Sequence, residues 1–555
     1  MHAATPLLIL YGSATGNAQD AAERVAREAR QLSFAPAVLP MDAYDVTKLP
    51  TETLAVFVIS TSGQGEFPEN ARSFWRFLLR KSLPPDSLSG LRCAVFGLGD
   101  SGYPKYNVAA KKLDRRLEGL GATHLLERGL GDDQARTGHE AVLDAWLPRM
   151  WAAARAAAPL PPGAPPPPPL DPGALPSLGT PRFRVTLTQP PSSQLEPAVD
   201  AAPGAQLLRG VSVAAGFARV AAAEAAGGRG NSIGGGSGDT GGGTYGAWRP
   251  FPAHVLRNER LTAPGHFQDV RHIELSLAGS GMEAYEPGDL LNVWPRPCAA
   301  TVDTFLARMG LSGREMVEVQ PTESQPGVPS PSTGTAREFA EFVLDVGGAS
   351  PRRRLFQVLA HFTPASAERE RERLEYFGSA EGRDDLYRYN QGEGVTLTEA
   401  LADFPSAVPP LEWLLEAAPL MRARQFSIAS SARMHPGEAH LTVAVVSWTT
   451  PYKRQRAGLC SSYLAGTSSC PAATSSCSKA TEQAAGGSGG GGDGGGGGAA
   501  AGGDVVAVWT ERGSMRMPTD ARVPLILVGP GTGVAPFRSY LEERAAAARS
   551  AGDGL

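Results

Sequence analysis

Apolar runs alternate with amphipathic stretches through residues 1–152. The runs LLILYGS, LAVFVIS and CAVFGLG lack polar alternation, which is typical of strands buried on both faces of a sheet. Between and after these runs, residues 18–32, 70–80 and 108–120 carry helical spacing, and a fourth strand is predicted near residues 123–126. This order predicts an α/β fold with an open parallel sheet, whose ligand crevice lies beyond the carboxyl ends of its strands.

Two stretches of unusual composition divide the chain. Residues 153–247 begin near LPPGAPPPPPLDPG and end near GGRGNSIGGGSGDTGGG, which is typical of a linker with stiff and flexible parts. Within that stretch, VTLTQP and LLRGVSVAAGF are compatible with either short strands or short helices. Residues 466–503 contain GGSGGGGDGGGGGAAAGG, a disordered composition. We therefore expect three folded regions: 1–152, 248–465 with a helical insert at about 300–420, and 504–555.

Composition and charge exclude several classes of protein. The chain has 52 Lys and Arg against 56 Asp and Glu, so neither nucleic acid nor an anionic membrane is expected as a partner. No apolar run approaches the ~20 residues of a membrane helix. Five cysteines in 555 residues make no disulfide framework and favour a reducing, cytoplasmic setting. His124, His139 and His254 are isolated in the sequence, so we expect neither a metal site nor an acid–base or nucleophilic catalytic group.

Four polar loops follow successive predicted strands of the first region. After the first strand, hydroxyls, a glycine and helix N–H groups form an anion site without the lysine of a Walker loop, which suits a phosphate monoester. Tyr103 offers a ring that can stack on a flat heterocycle. The loops contain Ser13, Ala14, Thr15, Gly16, Asn17 and Ala18; Ser60, Thr61, Ser62 and Gly63; Leu98, Gly99, Asp100, Ser101, Gly102, Tyr103, Pro104, Lys105, Tyr106 and Asn107; and Asp132 and Asp133.

These four loops resemble those of flavodoxin, and specifically of the FMN domain of the diflavin reductases. The resemblance implies that residues 13–18 hold the FMN phosphate. It also implies that residues 60–63 and 98–107 frame the isoalloxazine, with Tyr103 as the stacking ring. Asp132 and Asp133 are then expected to border the FMN site.

The second region carries two motifs with a similar chemistry. In RQFSIAS, Arg424 suits a pyrophosphate because its guanidinium is a charged planar fork, while Phe426 and Ser427 can meet a flavin ring. GLCSSYL predicts a glycine turn into a helix, which is a second anion site. Both motifs resemble the FAD-binding barrel of the ferredoxin reductase family. The resemblance implies FAD contacts from Arg424, Gln425, Phe426, Ser427, Gly458, Leu459, Cys460 and Ser461.

The third region begins with VPLILVGPGTGVAPFRSYLEERA, which predicts a strand, a glycine turn and a helix. It resembles the start of the NADPH domain of the same superfamily, which implies NADP contacts from Gly531, Thr532 and Gly533. A dinucleotide fold needs several βα units, and few residues follow Thr532. We therefore expect an incomplete, C-terminally truncated α/β NADP-binding domain.

The whole pattern resembles the diflavin reductase family, and most closely its branch in cytosolic iron–sulfur cluster assembly. PRRRLFQVLAHFT, LEYFGSAEG and FGLGDSGYPKYN carry the closer likeness, whereas Glu393 lies where basic residues near the FAD are expected. The resemblance implies an oxidoreductase that passes electrons from NADPH through FAD and FMN to a one-electron acceptor, here the iron–sulfur protein anamorsin. Two alternatives remain: a diflavin reductase serving a haem protein or methionine synthase, and a truncated flavin-binding protein without NADPH activity.

Overall fold

The computed structural model describes residues 4–63, 65–160, 163, 165–170, 176–189, 245–247, 249–322, 332–468, 504–518, 520 and 522–551. The chain divides into two compact units. One comprises Met1–Ser177 and Glu372–Arg388, and the other comprises Leu178–Arg371 and Tyr389–Leu555. The predicted glycine-rich insert lies almost entirely outside the described residues, as do LLRGVSVAAGF and most of the predicted linker.

The first unit is built on a parallel sheet that the apolar runs fill. Its elements are β1 (Thr5–Gly12), α1 (Asn17–Gln31), β2 (Phe34–Pro40), β3 (Leu54–Ser60), α2 (Arg72–Leu78), β4 (Arg92–Gly99), α3 (Val108–Glu118), β5 (Thr123–His124), β6 (Gly129–Asp132) and α4 (Glu140–Ala157). The strand order is β2-β1-β3-β4-β5, and β6 also pairs with β4. Helices cover buried apolar clusters on both faces of the sheet, so the predicted fold class is confirmed.

One edge of this sheet differs from the prediction. The predicted fourth strand is only two residues long, and Gly129–Asp132, taken to be mostly loop, forms β6 parallel to β4. The glycine at 129 permits this pairing, because a Cβ there would collide with the Phe96 ring. Asp132 consequently lies at the end of a strand, while Asp133 lies just beyond it.

The second unit contains an antiparallel barrel and a helical insert. Its elements, together with two helices shared with the first unit, are β7 (Phe183–Thr188), β8 (Phe251–Arg260), β9 (Val270–Ser276), β10 (Leu290–Trp294), α5 (Ala299–Arg308), β11 (Met316–Pro321), β12 (Ser332–Thr335), α6 (Ala336–Glu338), α7 (Arg353–His361), α8 (Glu368–Gly378), α9 (Arg383–Tyr389), α10 (Leu397–Asp403), α11 (Leu411–Ala417), β13 (Arg424–Ser427), β14 (Glu438–Ala444), β15 (Ser447–Thr449), β16 (Gln455–Ala457), α12 (Leu459–Ala465), β17 (Val505–Glu511) and α13 (Ala535–Ala551).

The barrel has the strand order β13-β10-β17-β8-β9-β14. Its two edges meet where the Ala429 N–H donates to the His440 carbonyl oxygen at 2.8 Å. One buried apolar cluster fills the interior. β17 was predicted to belong to the nucleotide-binding region beginning at 504, but it pairs with both β10 and β8. This assignment is corrected, because a strand buried along its centre satisfies its backbone groups only between two neighbours.

The insert is mainly helical, as predicted, but it also contains a three-stranded sheet of order β12-β11-β7. β7 comes from the stretch predicted to be linker and includes the VTLT residues, whose sequence is compatible with either a strand or a helix. Strand β7 therefore makes residues 183–188 part of the second unit. No described helix is long and apolar enough to cross a membrane.

The segment before α13 also differs from the prediction. VPLILV was predicted to be a strand, yet none of the described residues between 512 and 530 forms one. Ile526 is 93% exposed and Val528 is 77% exposed. The segment has the alternating side-chain pattern of a strand, but no described strand lies beside it to form backbone hydrogen bonds with it. The glycine turn and the helix α13 are formed as predicted.

Candidate functional site

The loop after β1 has an ordered frame and a free hydroxyl. Gly16 takes φ 93° at the start of the 15-residue helix α1, which a side chain would resist. The Ser13 Oγ accepts from the Gly16 N–H at 2.9 Å, and the Ser13 N–H donates to Asn70 Oδ1 at 2.9 Å. Thr15 is exposed and makes no hydrogen bond with the described residues. This arrangement at a helix N-terminus fits a phosphate.

The two loops predicted to frame a ring lie side by side. The Thr61 N–H donates to the Leu98 carbonyl oxygen at 2.9 Å, which joins the ends of β3 and β4. Ser62 and Glu66 exchange backbone hydrogen bonds of 2.9 and 2.8 Å, which closes the first of the two loops. Tyr103 in the second loop is 62% exposed. An exposed phenol ring at the crevice of a parallel sheet fits a planar heterocycle.

Asp132 ties the third loop to the fourth. Its Oδ1 accepts from the Ser101 N–H at 2.9 Å and from the Gln134 N–H at 3.1 Å. The Asp133 N–H donates to the Gly99 carbonyl oxygen at 2.8 Å. Burial opposes ionisation of Asp132, but the Ser101 and Gln134 hydrogen bonds outweigh it and hold its pKa below the ordinary value. The carboxylate is therefore charged at neutral pH, and its two hydrogen bonds hold the backbone of the third and fourth loops together.

Asn107 and Tyr106 brace the sheet from within. Asn107 is fully buried with φ 52°, and its Nδ2 donates to the Gly131 carbonyl oxygen at 2.8 Å. The Tyr106 hydroxyl donates to the Leu130 carbonyl oxygen at 3.1 Å. Both side chains hold β6 in place. Their contribution to a ring site is therefore indirect, because they fix the position of the loop and do not line the site themselves. The neighbouring Ser101, Gly102, Pro104 and Lys105 are exposed.

Arg424 is a half-buried cation without an acidic partner. Its Nη1 donates to the Arg422 carbonyl oxygen at 2.8 Å, and no described carboxylate forms an ion pair with it. Its charge is close enough to Cys460 and Asp345 to influence the pKa of both groups. Because no described carboxylate lies within ion-pair distance of this half-buried guanidinium, its donors are available to a bound pyrophosphate.

The GLCSSYL turn adjoins Arg424. Gly458 caps α12, and Ser461 Oγ accepts from the Val446 N–H and donates to the Gly458 carbonyl oxygen, both at 3.1 Å. Burial raises the pKa of Cys460 to about 12, so its thiol is not ionised. The two sequence motifs therefore meet in space, with the Ser461 hydroxyl already engaged and Leu459 half-buried against the barrel core.

The alternation along β13 sorts its side chains by face. Phe426 lies opposite Leu291 of β10 and packs partly against the barrel core. Gln425 points the other way, and its Nε2 donates to Glu511 Oε2 at 2.7 Å. Ser427 is half-buried at the end of the strand. Arg424 and Phe426 thus share one face, as the period of a strand requires.

Glu393 has a structural role at the position where basic residues were expected. It is 2% exposed and accepts from the Thr450 hydroxyl at 2.6 Å and the Tyr452 N–H at 3.0 Å. Its carbonyl oxygen accepts from Arg456 Nε at 2.9 Å. This carboxylate fixes the β15–β16 hairpin and, being an acceptor, cannot bind a phosphate.

The glycine turn before α13 is tight and solvent-exposed. Gly531 takes φ 57°, and the Gly533 N–H donates to the Pro530 carbonyl oxygen at 3.1 Å. A Cβ on Gly529 would lie 2.5 Å from the Gly533 carbonyl oxygen. Gly531 and Gly533 are exposed and Thr532 is half-buried, so backbone groups are open to a nucleotide ahead of the 17-residue helix α13.

No local pattern indicates that α13 docks on the turn after β13. The Ser431 N–H donates to Glu542 Oε2 at 2.9 Å, and the Ser431 hydroxyl donates to Glu543 Oε2 at 2.6 Å. The Ser539 hydroxyl donates to the Ser430 carbonyl oxygen at 2.7 Å. The element bearing the expected FAD contacts is therefore joined directly to the helix behind the nucleotide turn.

Histidines also cluster where none was expected. The described residues bring His272, Glu274 and His440 together, and His435 and Glu438 lie beside His440. The detectable pattern was His-x-Glu on one strand and Glu-x-His on another, because residues two apart share a face. His124, taken as isolated, places its Nε2 3.0 Å from Asp114 Oδ1.

Comparisons with known proteins agree with this arrangement. Residues 9–146 match the flavodoxin family, and residues 245–463 match the FAD binding domain family. The NADPH-dependent diflavin oxidoreductase 1 of Arabidopsis thaliana is 39% identical over 553 residues, which cover 98% of this chain and 78% of that protein. The protein of the same name from Bos taurus is 38% identical, covering 97% and 79%. The one from Dictyostelium discoideum is 30% identical, covering 97% and 73%.

Proposed function

The chain belongs to the NADPH-dependent diflavin oxidoreductase family, and on that premise we propose that it passes electrons from NADPH to an iron–sulfur protein of cytosolic cluster assembly. It is a flavin-dependent oxidoreductase that uses FMN, FAD and NADPH. We assign FMN to a domain of residues 1–152, FAD to the barrel within residues 248–465 together with β17, and NADPH to the turn ahead of α13. The matches to the flavodoxin and FAD binding domain families support this division.

The observation that carries the proposal is the unpaired guanidinium of Arg424 beside α12. A half-buried cation without a described acidic partner, on the same strand face as Phe426, provides charge for a pyrophosphate and an apolar surface for a ring. Arg424 would hold the FAD pyrophosphate, Phe426 would exclude water from one side of the ring, and Ser427 would donate a hydrogen bond to it. Ser13 and Thr15 would hold the FMN phosphate, with Tyr103 against its ring. Bound flavins supply hydride acceptance and single-electron transfer.

The position of Tyr103 supports an external protein acceptor. The ring lies at the open edge of the sheet and is 62% exposed. A flavin held there would keep an edge accessible to a partner protein, and no group of the chain needs to act as an acid or base toward that partner. By family resemblance we propose anamorsin as the acceptor. A haem protein and methionine synthase are the alternative acceptors.

The test is an anaerobic mixture of the full chain, FMN and FAD with NADPH, to which each candidate acceptor is added in turn. We expect flavin bleaching, then loss of the oxidised iron–sulfur absorbance of anamorsin at a rate at least tenfold above that of a haem protein. A chain loaded with FAD alone serves as the control and should not reduce anamorsin. Faster reduction of a haem protein or of methionine synthase would overturn the proposed acceptor.

A second outcome concerns NADPH itself. If NADPH bleaches neither flavin while dithionite reduces both, the chain binds flavins without NADPH activity, and the proposed electron path fails at its first step.

Free thiols support a reducing compartment, because Cys93 and Cys460 are buried and unpaired. We therefore propose the cytosol as the location, which fractionation of cells expressing the tagged chain would test.

A further inference from the structure

Two buried histidines lie side by side on the outer face of the barrel. In the antiparallel pair β9–β14, His440 is directly opposite Glu274, and His272 and Glu438 each lie two residues along on the same face. His272 is 6% exposed and His440 is 1% exposed. Their rings are 5.1 Å apart between centroids and nearly perpendicular.

Arg538 of α13 inserts a guanidinium between these rings. Its Nη1 lies 3.2 Å from His272 Nδ1, and its Nη2 lies 3.4 Å from His440 Nδ1. An arginine only donates hydrogen bonds, so both Nδ1 atoms must accept and carry no proton. The protons of the neutral rings are then on Nε2, which lies 2.9 Å from Glu274 in one ring and 3.1 Å from Glu438 in the other.

The same arginine is tied to the turn after the flavin strand. Arg538 Nε donates to Glu542 Oε1 at 2.9 Å, and the other oxygen of Glu542 accepts from the Ser431 N–H. Arg538 belongs to the first turn of α13, directly behind the glycine turn. A rigid link consequently runs from the barrel face, through one side chain, to the start of the helix.

We propose that Arg538 is a positioning residue: by bridging the neutral imidazoles of His272 and His440, it fixes the nucleotide turn Gly531–Gly533 against the FAD barrel for hydride transfer. This inference rests on the proposed function, since it takes that turn to be the NADPH site. A planar fork with two terminal donors matches two facing acceptors, which the single head of a lysine cannot do.

The histidine and glutamate groups could otherwise suggest a metal site. Zinc commonly uses such ligands, but a ligating Nε2 must be unprotonated, which places the proton on Nδ1 facing the Arg538 donors. A metal ion and Arg538 therefore compete for these rings. The Arg538 guanidinium already provides the positive charge that a metal ion would otherwise bring to this group of histidines and glutamates.

The bridge should be sensitive to acid because it needs both rings to be neutral. Burial lowers the pKa of His440 to about 3, with the neighbouring His435 reinforcing this effect, and burial also lowers the pKa of His272. Protonation would place an N–H against each Arg538 donor. Histidines released from the bridge protonate at about pH 6.5, whereas the bridged rings resist protonation. The stability that the bridge contributes therefore decreases as pH falls below about 6.5. The charged or titratable groups on the elements packed around the two rings are Arg257 and Glu259 of β8, Glu274 of β9, Glu438 of β14, Arg433 and His435 of the turn before β14, and Arg538, Glu542 and Glu543 of α13.

The test uses the full chain loaded with FMN and FAD. We compare Arg538→Gln and Arg538→Lys with Arg549→Gln, a control on an exposed position of the same helix. Two readouts are measured at pH 7.5: the Kd for NADP+ by calorimetry, and amide hydrogen exchange of residues 531–541. We expect Arg538→Gln to raise the Kd about tenfold or more and to accelerate exchange. Arg538→Lys should recover part of both effects, and the control neither.

The pH profile separates positioning from simple packing. In the His272→Asn/His440→Asn variant, each amide oxygen can take the place of the ring Nδ1 and accept from Arg538 without titrating. We expect this variant to bind NADP+ as the unmodified chain does at pH 7.5. Its residues 531–541 should lose less protection from exchange between pH 7.5 and pH 5.5, because opening of the bridge lets the native histidines protonate. Equal pH profiles would overturn the proposal, as would unchanged NADP+ affinity in Arg538→Gln.

Three further outcomes bear on the proposal. If Arg538→Gln releases FAD as well, the residue is a general structural support and the positioning role is wrong. If the chain binds stoichiometric Zn²⁺ and residues 531–541 then exchange faster, the cluster is a metal site. If the unmodified chain binds no NADP+, the proposed function fails, but the exchange measurement still decides whether Arg538 holds the turn, because it needs no nucleotide.

Discussion

The Ser431 N–H donates to the Glu542 carboxylate at 2.9 Å, and this hydrogen bond links the end of the flavin motif to the helix behind the nucleotide turn. The Ser431 hydroxyl and Arg433 engage the next residue, Glu543. Two carboxylates at consecutive positions of α13 thus bind the same turn of the barrel. NADPH and FAD must meet at van der Waals distance for hydride transfer, and these contacts fix the two backbone elements from which such a meeting is built.

Arg424 should determine FAD affinity. Replacing it by glutamine removes a charge-assisted contact to a pyrophosphate, which is worth about 1.5–3 kcal/mol, or about 10- to 150-fold in Kd. FAD titration of the apoprotein, followed by quenching of flavin fluorescence, measures the effect. Arg314→Gln, an exposed arginine of the same unit, is the matched control. Undiminished FAD affinity in Arg424→Gln would remove the pyrophosphate assignment.

Tyr103 should contribute to FMN binding and hardly to folding. The ring is 62% exposed, so Tyr103→Ala should change the free energy of unfolding of the apoprotein by no more than about 0.5 kcal/mol. Loss of stacking should weaken FMN binding by about 0.5–1.5 kcal/mol, or about two- to tenfold. Tyr103→Phe keeps the aromatic face and should bind FMN normally. If the alanine variant binds FMN as tightly as the phenylalanine variant, the ring does not stack.

Gly529 should be required for the shape of the nucleotide turn. Its Cβ would lie 2.5 Å from the Gly533 carbonyl oxygen and 2.7 Å from the Phe537 ring, so Gly529→Ala must displace backbone. We expect at least tenfold weaker NADP+ binding by calorimetry, with FAD and FMN contents unchanged. Gly265→Ala is the control, because a Cβ there meets no atom within 4 Å. Normal NADP+ affinity in Gly529→Ala would contradict the assignment of this turn.

The His124–Asp114 pair should make the first unit less stable at alkaline pH. The Asp114 carboxylate, 3.0 Å from Nε2, and after it the Cys93 thiol raise the pKa of His124 to about 10. A raised folded pKa gives stability that is complete below the unfolded value of about 6.5 and is lost as pH rises toward 10. We expect about 1 kcal/mol, after allowance for partial solvent exposure.

The urea midpoint for FMN release, compared between the unmodified chain and His124→Gln, tests this dependence. The two midpoints should differ at pH 6 and converge at pH 10. A constant difference across that range would show that packing of the ring, and not its charge, stabilises the unit.

The exposed apolar side chains of Ile526 and Val528 should promote self-association. Ile526→Lys/Val528→Lys should leave the free energy of unfolding within about 0.5 kcal/mol, because both side chains are mostly in solvent. Light scattering at increasing protein concentration should show less association in this variant. A fall in unfolding temperature together with unchanged scattering would mean that these side chains pack inside the fold.

Local sequence was sufficient for elements whose apolar period and flanking turns agree. β3 and β4 are buried runs between polar loops, and Gly16, Gly458 and Gly531 lie at the turns that open helices. The same local logic was wrong for VPLILV, which has the period of a strand but no described neighbour to pair with. A strand is completed only by another strand, so its period alone could not decide whether it formed.

Local pattern therefore predicts the chemistry of each loop and its place at a strand end, because turn residues and hydrophobic period act over a few positions. Which distant residues meet depends on how the folded chain packs. The register of β9 on β14 sets His272 beside His440, the insertion of β17 between β10 and β8 moves it into the barrel, and the docking of α13 brings Arg538 between the two rings. Each of these depends on pairing between segments far apart in the chain, which no local pattern encodes.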